Sequence, residues 1–215
     1  MRASGGDGKL ELWLRFTLLT AVGTGLGEAL QDGFALIAAQ SLPAPSTPAQ
    51  QSMMGVVLVV LGAVEGATLG TAQWFALLPS FERLRPLDWI LRTSLLSGLA
   101  WFLISVLERA EPAGVARLEL ASAGTLGGLL LGLALGVAQA RVLSRAAVSP
   151  VPWMSASVAG WSLGAGVAAI TLRGAGAVAE SAPGFAEHVA RGVIAGGIAG
   201  GVGGLALVLF AVAPE

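Results

Sequence analysis

Long apolar stretches broken by short polar turns set the pattern of this chain. Six separate cleanly: Leu10–Ala39, Met53–Leu78, Asp88–Leu107, Leu118–Leu143, Trp153–Leu172 and Val189–Val212. Each reaches about 20 residues, the length at which a helix crosses a hydrocarbon core of about 30 Å. Lipid cannot satisfy backbone N–H and C=O groups, and the runs are too long for barrel strands, so the pattern predicts helices. The expected fold is all-α, a polytopic membrane bundle of six transmembrane helices forming one integral domain over residues 1–215.

The first stretch differs from the others because Arg15, Glu28 and Asp32 interrupt it. Arg2 and Lys9 ahead of it, and Ala38-Ala39 behind, give it some look of a signal peptide. Its length and its two acids argue for a retained helix. The connections are short. Ser41–Gln51 is uncharged and Pro-rich, Pro79–Leu87 and Ser144–Pro152 are basic, Glu108–Arg117 is mixed and contains Glu111-Pro112, and Arg173–His188 is the longest.

Positive charge orients the bundle. Arg2, Lys9, Arg15, Arg83, Arg85, Arg92, Arg141 and Arg145 fall on the N-terminal side, against Arg109, Arg117, Arg173 and Arg191 on the other. That bias places both termini in the cytoplasm, with the chain in the inner (cytoplasmic) membrane.

Composition sharpens the picture. Hydrophobic residues make up 55% of the 215 and charged residues only 12%, against about 25% charged in a soluble domain. Mean hydropathy is +0.79. With no cysteine, disulfides, thiolate metal sites and thiol nucleophiles are excluded. The one histidine, His188, excludes a bis-histidine haem within the chain. A net charge of -1 gives no reason to invoke nucleic acid. No nucleotide motif, metal-ligand cluster or Ser/His/Asp set stands out, so no catalytic residue, cofactor or metal is expected.

A local pattern recurs. Gly66-x-x-x-Gly70-x-x-Gln73 in the second stretch matches Gly132-x-x-x-Gly136-x-x-Gln139 in the fourth. A basic, Pro-containing turn follows each, and then a stretch that opens on tryptophan, Trp89 or Trp153. The unit is a helical hairpin present twice. Gly23, Gly27 and Gln31 echo it weakly in the first stretch, and Gly192, Gly196, Gly200 and Gly204 share only its glycine spacing. We read those as common helix-packing chemistry. The stretch GATLGTAQWFAL with its tryptophan-led successor resembles a loose, largely uncharacterised group of bacterial multi-span membrane proteins built from repeated GxxxGxxQWxxL hairpins. Residues 66–101 carry the fullest likeness. Residues 132–164 depart from it at Ala140, which stands where Trp74 does in the first copy. The resemblance implies the hairpin fold and no activity.

Glycines four apart let another helix backbone approach. The rows are Gly62/Gly66/Gly70, Gly124/Gly128/Gly132/Gly136, Gly160/Gly164 and Gly192/Gly196/Gly200/Gly204. They serve packing within the chain or docking of partners. Glu65 lies near the middle of the second stretch, where Leu131 stands in the other copy. A charge at that depth costs at least about 2.5 kcal/mol, so Glu65 is paired, hydrated or protonated. Either it holds helices together by hydrogen bonding or it is a proton or cation site. Glu28 and Asp32, one turn apart, mark the exit of the first helix from the membrane or the mouth of a cation path. Gln73 and Gln139 read as structural, Trp89 and Trp153 as interfacial belt residues, Trp101 and Trp161 as deeper packing residues, and His188 as solvated.

The leading expectation is a non-enzymatic structural or accessory subunit that packs against partner membrane proteins through glycine-lined faces, in contact with lipid and as a homo-oligomer or part of a larger complex. The alternative is a small transporter or channel with Glu65 as its intramembrane proton or cation site.

Overall fold

The computed structural model describes residues 6–41, 47–82, 84–110, 117–146, 148–176 and 184–210. Each of the six expected stretches is helical: α1 (Gly6–Ser41), α2 (Pro48–Leu77), α3 (Pro86–Ala110), α4 (Arg117–Leu143), α5 (Pro150–Gly176) and α6 (Phe185–Phe210). One 3-10 turn, Ser144–Ala146, follows α4. Arg2, Arg83, Glu111-Pro112, Glu180 and Val212 lie outside the described residues.

Helix α2 starts at Pro48, ahead of the apolar run at Met53, because Thr47 and Gln50 form a capping box. The Gln50 N–H donates to Thr47 Oγ1 at 3.3 Å and the Thr47 N–H to Gln50 Oε1 at 3.0 Å. Two end amides of the helix are thereby satisfied, and Pro48 occupies the first helical position, where its missing N–H costs nothing. Hydropathy misses this start because the box is polar.

Over the described residues, four helices are long and apolar enough to cross a membrane: Met53–Leu77, Gly124–Leu143, Pro150–Thr171 and Phe185–Phe210. Over the described residues alone, α1 and α3 fall short of that apolarity. α1 carries Thr17, Thr20, Thr24, Glu28, Gln31 and Asp32, and α3 begins with Asp88 and Arg92.

Each helix packs against its neighbours in sequence, and α6 closes on α1, so the six form a ring. The closest pairs are α1 with α6, α4 with α5, and α2 with α3. Glycine rows make these approaches. Gly62, Gly66 and Gly70 of α2 face Trp101, Ser97 and Thr93 of α3. Gly128, Gly132 and Gly136 of α4 face Trp161, Ser157 and Met154 of α5. Gly196 and Gly200 of α6 face Thr24, Thr20 and Thr17 of α1. These rows are thus covered within the chain.

The ring reverses the inside-out order of a soluble protein. Large apolar side chains point outward on every helix, among them Leu18 (61% exposed), Val56 (63%), Leu95 (67%), Leu133 (45%), Ile170 (63%) and Leu209 (67%). The interior holds small, polar and aromatic groups together with buried leucines such as Leu69, Leu77, Leu135, Leu143 and Leu207. Its largest apolar cluster gathers Leu12, Phe16, Leu77, Trp89, Leu143, Trp153 and Leu207 with the turn residues Phe81, Leu84 and Val148. That cluster seals the end where the α2–α3 and α4–α5 turns lie, called the basic end below for Arg85, Arg141 and Arg145.

Close backbone approach makes a stability prediction. A Cβ on Gly132 would stand 2.7 Å from the Ser157 carbonyl oxygen and 2.8 Å from Val158 Cα, whereas one on Gly33 would meet nothing within 4 Å. Gly132→Ala is expected to lower stability by about 1–3 kcal/mol, read as an earlier thermal melt in detergent. Gly33→Ala is expected to leave the melt unchanged or raise it, since alanine favours a helix more than glycine does.

Candidate functional site

Glu65 is 4% exposed and sits on the inner face of α2. Two glycines make room for it. Gly27 of α1 leaves the space that the Glu65 side chain fills, and Gly62 leaves the space that the Trp101 indole of α3 fills. The Trp101 N–H donates to Glu65 Oε2. Below the acid, Thr68 Oγ1 lies 2.7 Å from the Glu65 carbonyl oxygen and 3.2 Å from that of Gly23. The ion pairs among the described residues are Arg15–Glu11, Arg145–Asp88 and His188–Asp32, so no cation is paired with Glu65 there.

Toward the end opposite the basic one, titratable groups from α1 and α6 converge on this acid. Asp32 of α1 pairs with His188 Nδ1 of α6, both about one-fifth exposed. Glu28 lies in the field of Arg191 and Asp32, and Glu65 in the field of Glu28. Gly192 of α6 opens the space for the Glu28 side chain, since a Cβ there would meet Glu28 Cγ at 2.7 Å. α1 runs on past Glu28 and Asp32 to Ser41, with both acids turned toward its neighbours. His188, read from sequence as solvated, is an interhelical partner.

Toward the basic end, a neutral polar layer continues from Glu65. Thr20, Thr24, Gln73, Thr93, Ser97, Gln139 and Ser157 are all buried. Gln139 Nε2 donates to Gln73 Oε1 at 2.8 Å and to Thr93 Oγ1 at 3.1 Å. Gln73 Nε2 donates to Thr20 Oγ1 at 3.5 Å, and Thr24 Oγ1 to the Thr20 carbonyl at 2.8 Å. The two glutamines, 66 residues apart, thus meet inside the ring and tie α2 to α4, two helices that are not neighbours.

Of the residues singled out from sequence, Glu28, Asp32, Glu65 and Gln73 all line this interior, and the glycines Gly62, Gly66, Gly70, Gly128, Gly132, Gly136, Gly196 and Gly200 frame it. Sequence reasoning missed the hydroxyls. Thr20/Thr24 and Thr93/Ser97 recur at i and i+4 on the glycine-contacting faces, the one signal that marked them. It also misplaced Trp89 and Trp153. They are 0% and 2% exposed and pack on each other inside the ring, with ring centroids 6.3 Å apart. Trp161 is buried with Leu69, Leu135 and Ala199. Among the described residues no three His, Asp or Glu side chains lie close enough to hold a metal.

No protein-family model, curated protein or solved structure matches the chain. What the interior offers chemically is one deeply buried acid, a cluster of charged groups on one side, and a hydrogen-bonding layer without net charge on the other.

Gln139→Leu leaves Gln73 Oε1 without its donor and is expected to cost about 1–3 kcal/mol. The double variant Gln73→Leu/Gln139→Leu removes both partners and is expected to melt later than Gln139→Leu alone. Thermal melts of the two singles and the double, taken as a cycle, check this.

Proposed function

We propose that this chain is a non-enzymatic, multi-pass membrane protein that moves protons or small cations, with Glu65 as the intramembrane site. The observation that carries this reading is the buried acid itself, placed between a titratable mouth and a polar layer inside a ring with an apolar exterior. Intramembrane acids in such interiors mark ion or proton pathways. The charged groups Glu28, Asp32, His188 and Arg191 at the mouth give a cation or proton a place to enter. Glu65 then exchanges it with the uncharged layer beyond.

All six helices cross the membrane in this reading. α1 has the outward row Leu14, Leu18, Val22, Leu26 and Leu30, and α3 has Leu87, Leu91, Leu95 and Leu99. The α1 row alone covers about 24 Å of helix at 1.5 Å per residue. Their buried hydroxyls, Thr20, Thr24, Thr93 and Ser97, face the ring interior, which lowers mean apolarity without exposing those groups to lipid. The basic end and both termini are cytoplasmic, as the arginine bias requires, in the bacterial inner membrane.

The same reading extends the hairpin repeat. Helices α1, α3 and α5 carry buried residues at i, i+4 and i+8: Phe16/Thr20/Thr24, Trp89/Thr93/Ser97 and Trp153/Ser157/Trp161. The facing helices carry Leu69/Gln73/Leu77, Leu135/Gln139/Leu143 and, on α6, Gly203/Leu207. We infer three related hairpins around one axis, the third assembled from the two ends of the chain. Ala195 then stands in the third unit where Glu65 stands in the first and Leu131 in the second, so only one unit carries the acid.

A second reading, an accessory subunit packing against partner membrane proteins or its own copies, draws on a different surface. An outward apolar groove of about 540 Å³ lies between α5 and α6, lined by Val151, Ala159, Val202, Leu205 and Phe210. The glycine rows favour it less, because neighbouring helices of the same chain already cover them. Recovery of a larger assembly in mild detergent is its expected outcome; a partner-free monomer counts against it.

For the transport reading, Glu65→Gln is expected to abolish proton or cation flux in proteoliposomes while the helical content and elution volume stay unchanged. Flux equal to that of the parent, or none in the parent, removes it. The topology has its own check, since the chain has no cysteine of its own. Ala186→Cys is expected to react with an impermeant maleimide from outside the cell, and Glu82→Cys only after the membrane is opened. Equal labelling of both on intact cells overturns the orientation.

A further inference from the structure

We propose that the indole N–H groups of Trp89 and Trp153 form a water-binding site inside the ring, at the basic end of the polar interior. Trp89 lies in the first turns of α3, one turn before Thr93, and Trp153 in the first turns of α5, one turn before Ser157. The two indoles touch, with planes at 56°, and Phe16 of α1 meets Trp153 edge-on with centroids 5.9 Å apart. All three rings are at least 98% buried.

Their donors set them apart from other tryptophans of the chain. Trp13 Nε1 donates to the Gly201 carbonyl at 2.9 Å, Trp74 Nε1 to that of Leu84 at 3.4 Å, and Trp101 Nε1 to Glu65. Trp89 Nε1 and Trp153 Nε1 are buried and have no acceptor among the described residues. A buried donor left unpaired is a net loss of stability. An apolar seal does not need that donor, as Phe16 demonstrates in the same layer.

The surroundings select the occupant. Two donors require an acceptor. The shell is apolar, built by residues such as Leu77, Leu143 and Leu207. The adjacent Asp88 is already paired with Arg145 at 3.3 Å. A bare anion in such a shell is penalised heavily, whereas water accepts from an indole and passes its own hydrogens on. The nearby hydroxyl of Thr93 and the side chain of Gln139 form the next polar layer, joined at 3.1 Å. Water at the indoles therefore prolongs that layer toward the basic end, and the aromatic trio becomes the place where the interior is wetted or sealed. The water site stands on two buried, unpaired indole donors on adjoining rings; its role as the inner end of a conduction path rests on the transport reading above.

The test uses the unaltered full chain, 15N-labelled and in detergent micelles, with its six indole signals assigned. Water-selective NOE spectra are expected to give cross-peaks at the Trp89 and Trp153 indole N–H and none at Trp13 and Trp74, whose donors go to carbonyls. Absence of water cross-peaks at both Trp89 and Trp153 overturns the inference. A saturable shift of these two signals on adding chloride also overturns it, since the occupant is then an anion. Flux in the parent protein with dry indoles sinks the water site and leaves the transport reading intact. Wet indoles in a protein without flux uphold the site and remove its conduction role.

Discussion

Close approach of helix backbones at glycine is the constraint on which this ring depends. At Gly66, Gly132 and Gly200 the next helix comes so near that a Cβ would meet its neighbours at 2.5–2.8 Å. In lipid, apolar side chains gain nothing by leaving the solvent, so association of helices rests on tight van der Waals contact and on interhelical hydrogen bonds. Glycine rows supply the first at four interfaces, three between consecutive helices and one between the ends of the chain. The ring closes because α6 meets α1 by the same contact that joins α2 to α3.

That packing dictates what the interior contains. Helices this close leave little room between them, so alanines, serines, threonines and tryptophans face the glycines, while the buried leucines lie elsewhere in the interior. The hydroxyls satisfy themselves on carbonyls one turn back, as Thr24 does on Thr20 and Thr71 on Ala67. Longer polar side chains then reach inside the ring, where Gln139 bonds both Gln73 and Thr93. A buried polar network of this kind is stable only when its members find partners. It also specifies one arrangement of helices over others that are equally apolar.

Against this near-regular background Glu65 is the exception. In the proposed hairpin alignment leucine and alanine stand at this position on α4 and α6, so packing does not require an acid there. What the acid has is a prepared setting: Gly27 and Gly62 clear the space, Trp101 supplies a donor, and Glu28 and Arg191 stand toward the mouth. A group that is costly to bury and that has its surroundings shaped around it fits chemistry better than structure. This is the physical basis for preferring a conducting role to a purely structural one.

Much of this was legible in the sequence. Run length and hydropathy located all six helices, since a membrane-length apolar run has few other ways to satisfy its backbone. Spacing located the glycine rows, and comparison of the two hairpins isolated Glu65. The start of α2 escaped notice because a capping box is a hydrogen-bonding signal with no apolar signature. The facing of residues was not legible. In lipid the outer and inner faces of a helix are both apolar, so periodicity does not tell which side Trp89 or Trp153 occupies. Nor was the closure of the ring, which sets Asp32 beside His188 across 156 residues. The chain by itself determined which segments are helices and where they can approach. Only the tertiary structure decided which helices meet, because that choice depends on contacts between residues too far apart in sequence for any local pattern to link them.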